Sequence, residues 1–156
     1  MTRSMLIAIF FLLSLTFAEA QVSPAQVQKW LDAHQPDGSG PGQVVARMDG
    51  KLWSYGTSPD AAILYTFQIG ESRDRSHKQY LVVFKSVGSQ YEATKPRLVG
   101  VNGLQTLNEL SIADMTITLR GKTWVPGDAL CCPSETLSVQ YVVYDDELIA
   151  RGFRIK

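Results

Sequence analysis

Residues 61–69 read AAILYTFQI, and residues 80–84 read YLVVF. In the first stretch the apolar side chains recur with the two-residue period of a β-strand, which places on one face Ala61, Ile63, Tyr65, Phe67 and Ile69. The second stretch is apolar on both faces, as expected of a central strand covered on each side. Together they predict a β-sheet whose middle is buried from two directions.

Further strand patterns lie on both sides of this pair. Residues 44–48 and 52–55 flank Asp49-Gly50, a dipeptide typical of a tight hairpin turn. Residues 115–119 and 137–143 alternate apolar with polar side chains, and acidic residues 145–147 turn the chain into a last strand ending near Phe153. Segments 91–99 and 104–112 are ambiguous. We expect about seven or eight short strands in an antiparallel sheet, because the helical crossovers of a parallel sheet are missing.

One helix is well specified near the start of the chain. Ser23 is a good N-cap, Pro24 suits the first helical position, and Gln26 completes an S-x-x-Q capping box. The positions that follow form one stripe at helical spacing: Val27, Trp30, Leu31 and His34. The predicted fold class is therefore α+β, mainly β, with one N-terminal helix packed on the sheet.

The first twenty residues have the pattern of an export signal. Arg3 supplies a positive charge, residues 5–17 form an apolar core, and Ala18-Glu19-Ala20 is a small-x-small cleavage sequence. We expect residues 1–20 to be a cleaved signal peptide and residues 21–156 to form a single globular domain. The expected location is periplasmic or secreted, with no membrane span after cleavage, because no second apolar run is long enough to be one.

The charge composition argues against nucleic acid as a partner. The chain has 15 basic and 15 acidic side chains, so its formal net charge is zero. Such a balance provides no field that would attract nucleic acid, and we expect no nucleic-acid partner.

Two adjacent cysteines are the most unusual local feature. Cys131 and Cys132 are the chain's only cysteines, and they lie in the sequence PGDALCCPS, residues 126–134. Pro133 favours a loop before the strand at 137–143. In an oxidising compartment two sulfurs this close tend to join, and such a bridge would shape the loop locally without removing much entropy from the unfolded chain.

PGDALCCPS, together with AAILYTF and QYLVVFK, resembles a group of small exported bacterial proteins that share a GDAxCCPS-type element. The resemblance covers roughly residues 61–148 and implies no activity. Some members of that group carry an acidic calcium-loop-like segment before the first long strand. Here residues 54–60 (SYGTSPD) offer a single carboxylate, which argues against calcium.

The remaining polar motifs favour structure over catalysis. Gly121-Lys122-Thr123 lacks the first glycine of a phosphate loop and predicts a hairpin turn. No nucleophile elbow accompanies the two histidines, and His34 has the position of a helix cap. Adjacent cysteines do not have the spacing of zinc ligands. We therefore expect no metal and no cofactor.

The candidate site is the cysteine loop, with Trp124, Asp128, Cys131 and Cys132 as its hypothesised binding residues. The leading functional hypothesis is a non-enzymatic exported module that binds an unidentified protein or small ligand of the envelope. A small inhibitor of an envelope or extracellular enzyme fits the size and compartment. The alternative is a thiol redox protein that uses Cys131 and Cys132, and a structural role in an envelope assembly is a third hypothesis.

Overall fold

The structure is a computed structural model that describes residues 21–53, 58–69, 76–101, 105–129 and 132–155. One helix and nine strands lie in these ranges. They are α1 (Pro24–Ala33), β1 (Gln43–Gly50), β2 (Asp60–Ile69), β3 (Ser76–Val87), β4 (Gln90–Ala93), β5 (Arg97–Val101), β6 (Gln105–Ala113), β7 (Thr116–Thr123), β8 (Glu135–Tyr144) and β9 (Glu147–Ile155).

The start of α1 has the predicted capping geometry. The Ser23 hydroxyl accepts a hydrogen bond from the Gln26 backbone N–H at 3.2 Å, and the Gln26 side chain accepts one from the Ser23 N–H at 2.7 Å. Both donors would otherwise lack partners at a helix N-terminus. Val22 and Val27, on either side of the cap, are buried, which fixes the direction in which the chain enters the helix.

All strand pairs are antiparallel, and the sheet order is β1-β2-β3-β5-β6-β7-β8-β9, with β4 added to β3. The predicted class, mainly β with one helix on an antiparallel sheet, is confirmed. The described strands number nine because the ambiguous 91–99 segment divides into β4 and β5 around Pro96.

The sheet buries side chains on two faces. On one face, α1 packs on β2 and β3 through a cluster that includes Leu31, Ile63, Tyr65 and Phe67. The opposite faces of β2, β3 and β5–β9 share a second cluster that includes Leu64, Leu107, Leu119 and Leu137. Strands β2 and β3 are therefore covered on both sides, as residues 80–84 predicted, whereas α1 leaves the outer face of β7–β9 uncovered.

The sheet curls around the second cluster. Strand β1, at one end of the order, also contacts β6. Lys85 of β3 forms an ion pair with Asp146 in the β8–β9 turn, and Lys95 forms one with Glu147 at 3.1 Å. These contacts join the β3–β5 region to the far end of the sheet, so the strands enclose the cluster rather than lying flat.

A buried side chain replaces the missing strand pairing between β5 and β6. Within the described residues these strands pair at a single position, Val101 with Gln105. The Gln79 amide of β3 instead donates to the Leu107 carbonyl and accepts from the Leu107 N–H, each at 2.7 Å. It crosses β5 at Gly100, where an added Cβ would lie 2.4 Å from the Gln79 side-chain oxygen. The glycine therefore makes the crossing sterically possible.

Two predicted hairpin turns are wrong. Asp49-Gly50 ends β1, and Gly50 pairs with Asp60 across a longer connection. The buried Asp60 carboxylate holds that connection by accepting from the backbone N–H groups of Leu52 at 2.8 Å and Trp53 at 2.9 Å. The predicted second strand of that hairpin does not form at Leu52 and Trp53, and its residues 54–55 lie outside the described ranges.

Gly121-Lys122-Thr123 is part of β7 rather than a turn. A Cβ at Gly121 would lie 2.0 Å from the Thr106 carbonyl oxygen, next to an irregularity in the β6–β7 register. The glycine is therefore present for close approach of two backbones, which a single sequence does not distinguish from a turn glycine.

Candidate functional site: a cysteine loop beside an arginine cleft

The loop before β8 begins with a tight turn. The Asp128 N–H donates to the Val125 carbonyl at 3.0 Å, and Gly127 has a φ of 103°. With Pro126 in the second position and a positive φ in the third, residues 125–128 have the features of a type II β-turn. The PG pair of the sequence thus sets the direction of the loop.

Asp128 holds the two ends of this loop together. Its Oδ2 accepts from the backbone N–H of Val125 and from that of Ser134, each at 3.0 Å. These hydrogen bonds, that from Val125 first, hold the pKa of the Asp128 carboxyl below its usual range. The carboxylate is thus an ionised clamp for the backbone, which is a structural role rather than that of a general base.

Trp124 and Cys132 meet at one carbonyl. The Ala129 oxygen accepts from the Trp124 Nε1–H at 3.1 Å and from the Cys132 N–H at 2.9 Å. The structure thus brings together three of the four predicted site residues: Trp124, Asp128 and Cys132. Cys132 is exposed, and no free thiol is found in the described part of the chain. Cys131 lies outside the described residues, so its bonding to Cys132 stays a prediction.

Lys122 connects the loop to the uncovered outer face of the sheet. Its Nζ donates to the Ser134 carbonyl and to the Thr136 hydroxyl, each at 3.2 Å. Lys122 and Thr136 are cross-strand partners in the β7–β8 register, and the next outward pair along the two strands is Arg120 and Ser138. The cysteine loop therefore lies at one end of a polar face that continues across β7, β8 and β9.

This face contains a cleft of about 410 Å³ bordered by Arg120, Arg151 and Arg154 together with Ser138 and Gln140. A second depression of about 290 Å³ shares Arg120, Ser138 and Arg154. The larger volume falls within the range of small-molecule pockets, roughly 300–1,000 Å³. We call the larger one the arginine cleft.

Strand register explains how three arginines reach one cleft. Arg120 of β7 is opposite Ser138 of β8, which is opposite Arg154 of β9. Arg151, three residues from Arg154, would face the other side of a regular strand. The register shifts between Gln140 and Tyr141, leaving Arg151 without a cross-strand partner. This bulge turns Arg151 toward the same side as Arg154.

Within the described residues the three guanidinium groups have no anionic partner. The ion pairs found there are Arg47–Asp49, Lys85–Asp146 and Lys95–Glu147. Glu109 of β6 is opposite Arg120 in register, but it belongs to none of these pairs. Among the described residues, the cleft thus concentrates three positive charges that take part in no ion pair, although the whole chain has zero formal net charge.

Sequence reasoning missed the arginine cleft for a geometric reason. The alternation of residues 115–119 extends to Arg120 and puts it on the polar face of the strand, but Arg151 and Arg154 have the odd spacing of side chains on opposite faces. Only the bulge brings them together. The RGFR sequence at residues 151–154 contains a glycine, which is a recognised marker of bulges, and this was the one available signal.

The other sequence candidates are distributed elsewhere. His34 caps α1, with its Nδ1 at 2.8 Å from the Trp30 carbonyl, and His77 lies in β3. Among the described residues, no three His, Cys, Asp or Glu side chains cluster in a way that could hold a metal ion. The single helix found in those ranges is too short to cross a membrane.

No protein-family model matches this chain, and no match was found among curated proteins or among solved structures.

Proposed function

We propose that this protein is an exported, non-enzymatic binding module that holds an anionic ligand in the arginine cleft, with the cysteine loop as a rigid rim. In this proposal residues 1–20 are removed as a signal peptide, and the protein acts in the periplasm or outside the cell. Inhibition of an envelope or extracellular enzyme is one form that such binding would take.

The observation that carries this proposal is the convergence on one concave surface of three guanidinium groups that form no ion pair with any described residue. A guanidinium presents a planar fork of N–H donors that fits a carboxylate or phosphate through two parallel hydrogen bonds. Ser138 and Gln140 add neutral hydrogen-bonding groups between the charges. A ligand with two or three negative charges would therefore gain both charge neutralisation and directional hydrogen bonds.

A binding role without turnover agrees with the chemistry of the cleft. Its lining consists of arginine, serine, threonine, glutamine, glycine and phenylalanine. Activation of a serine or threonine hydroxyl as a nucleophile needs an adjacent base, and the described residues of this lining include no histidine or carboxylate. The three guanidinium groups have donors and no acceptor, so they act here as hydrogen-bond donors and positive charges.

For the cysteine loop, we propose a disulfide between Cys131 and Cys132 that stiffens the rim. The Asp128 carboxylate bonds the backbone on both sides of the cysteines, at Val125 and Ser134. A loop held at both ends favours a fixed shape, whereas a thiol redox protein has to cycle its pair. The redox alternative is tested by the cysteine experiment below.

Citrate is a suitable first probe because it carries three carboxylates in a small molecule. We expect weak binding, with a Kd of about 1 mM, as is typical when a few exposed charge pairs supply the affinity. Titration followed by amide NMR shifts should show changes centred on Gly152 and Ser138. The affinity should fall with added sodium chloride, because salt screens exposed charges.

The matched variants are Arg120→Ala/Arg154→Ala and Arg97→Ala. Arg97 is an exposed arginine in β5 that does not border the cleft. The double variant should lose citrate binding while Arg97→Ala retains it. An equal loss of citrate affinity in both variants would reject the arginine cleft as a binding site. Amide chemical-shift changes spread evenly over the surface would reject it as well.

Cys131→Ser/Cys132→Ser tests the rim and the redox alternative together. Thiol titration of protein purified without reductant should find no free thiol, and the variant should bind citrate with altered affinity or melt at a lower temperature. Unchanged binding and melting would show that the pair has no role in shaping the cleft. Rapid exchange with a small disulfide substrate would favour the redox alternative instead.

A further inference from the structure

We infer that the ligand of the arginine cleft is an extended segment of another protein, with alternating acidic and apolar side chains, that adds to the sheet as a strand along β9. This inference rests on the proposed function, because it specifies the chemical class of the anionic ligand. It comes from three features of β9: its position, its two faces and its charge.

Strand β9 is the last strand in the sheet order. Within the described part of the chain it pairs with β8 and with no other strand. Its opposite edge therefore presents a row of backbone N–H and C=O groups that no strand satisfies. Such an edge is a template for strand addition, in which backbone hydrogen bonds supply affinity and alternate side chains supply specificity.

One face of this edge is apolar. Phe153 is opposite the buried Val139, and Ile155 is opposite the buried Leu137. In register both belong to the face that encloses the inner hydrophobic cluster, yet Phe153 is 59% exposed and Ile155 48% exposed. Phe153 also borders the arginine cleft, at the edge between the two faces. These side chains extend the core past its last strand. Apolar side chains of an added strand would cover them.

The other face of the same edge is basic. Arg154 lies between Phe153 and Ile155 in sequence and points to the arginine cleft, where the bulge also places Arg151. An added strand that sets apolar residues beside Phe153 and Ile155 necessarily sets the residue between them on the arginine side. An acidic residue there would meet Arg154, and the next one on that face would approach Arg151.

Charge disfavours a second copy of this chain as the occupant. Pairing β9 with a second β9 would place the Arg151 and Arg154 side chains of both copies near each other on one face. Like charges beside one another across neighbouring strands are destabilising. An acidic strand reverses the sign of that interaction, which is why we favour a heterologous segment.

The test uses the full chain and three fluorescein-labelled eight-residue peptides. The first alternates aspartate with valine. The second has the same composition in two blocks, four aspartates followed by four valines. The third is the alternating peptide with an N-methyl group on every residue, so that neither of its edges can donate backbone hydrogen bonds. Fluorescence anisotropy measures the affinity of each.

The alternating peptide should bind at least about tenfold more tightly than the block peptide or the N-methylated peptide. Arg151→Ala/Arg154→Ala should weaken it by about tenfold, the sum of two exposed charge pairs. Arg97→Ala should leave its affinity unchanged. Circular dichroism confirms that each variant is folded, and Arg151→Lys/Arg154→Lys, which keeps both charges, should retain most of the affinity.

Two results would overturn the inference while the proposed function stands: equal affinity for all three peptides, or citrate binding in the cleft without binding of the alternating peptide. If neither citrate nor any peptide binds, the proposed function fails as well. A dimer in sedimentation equilibrium that dissociates on Phe153→Lys would show that the edge is occupied by a second copy, and would also overturn the inference.

Discussion

The replacement Gln79→Leu tests whether one buried amide joins β3 to β6. Gln79 is 3% exposed, and it makes two hydrogen bonds of 2.7 Å with Leu107. Leucine has a similar volume but leaves the Leu107 N–H and carbonyl without these partners. A buried group left unsatisfied costs about 1–3 kcal/mol, and the added apolar burial recovers about 1 kcal/mol. The two Leu107 groups together should cost about 4 kcal/mol, so after the recovered burial we expect a net loss of about 3 kcal/mol.

Urea unfolding followed by circular dichroism measures this loss. The midpoint should fall while the slope m stays constant, because the surface exposed on unfolding is unchanged. The control is Gln68→Leu, the same replacement at an exposed position of β2, where we expect a change within about 0.5 kcal/mol. A loss at position 79 below about 1 kcal/mol, or equal to that of the control, would refute the idea that this amide substitutes for strand pairing.

The remaining predictions concern two glycines and the loop carboxylate. Gly100→Ala should displace the Gln79 side chain, so a double-mutant cycle should show that Gly100→Ala and Gln79→Leu together destabilise less than the sum of the single changes. Gly121→Ala should cost at least about 3 kcal/mol in urea unfolding, because the new Cβ meets the Thr106 backbone oxygen at 2.0 Å; a loss below 1 kcal/mol would contradict this contact. The folded pKa of Asp128 lies below its unfolded value, so its stabilisation is present above about pH 4 and is lost as the pH falls through the folded pKa. In an NMR titration the two amides that bond its carboxylate should shift only below about pH 4, and a midpoint above pH 5 would exclude the clamp.

Local chemistry explains which parts of the fold were predictable. The start of α1 depends on Ser23, Pro24 and Gln26, which are neighbours in sequence, so the capping box needed no knowledge of the rest of the chain. The fully apolar residues 80–84 report burial on both faces directly, whereas the alternation of β2 indicated one of its two buried faces. These elements were predicted correctly because their causes lie within a few residues of their effects.

The errors arise where a residue's role depends on a distant strand. Gly50 and Gly121 both suggested turns, but the first ends a strand and the second allows a close approach to Thr106. Strand order could not be deduced either, since Gln79 and Leu107 meet across β5. In the candidate site, the loop geometry of Asp128 follows from local turn chemistry, whereas the arginine cleft requires a bulge that depends on pairing with β8.

The crossing of Gln79 over Gly100 has a consequence for how the gene can change over time. Any side chain at codon 100 blocks the path of the amide, and no residue other than glutamine and asparagine offers one amide donor and one amide acceptor together. Positions 79 and 100 are thus expected to covary among related sequences. A related sequence with a larger residue at position 100 should also lack the glutamine at position 79. In such a protein, more residues of β5 and β6 should pair with each other.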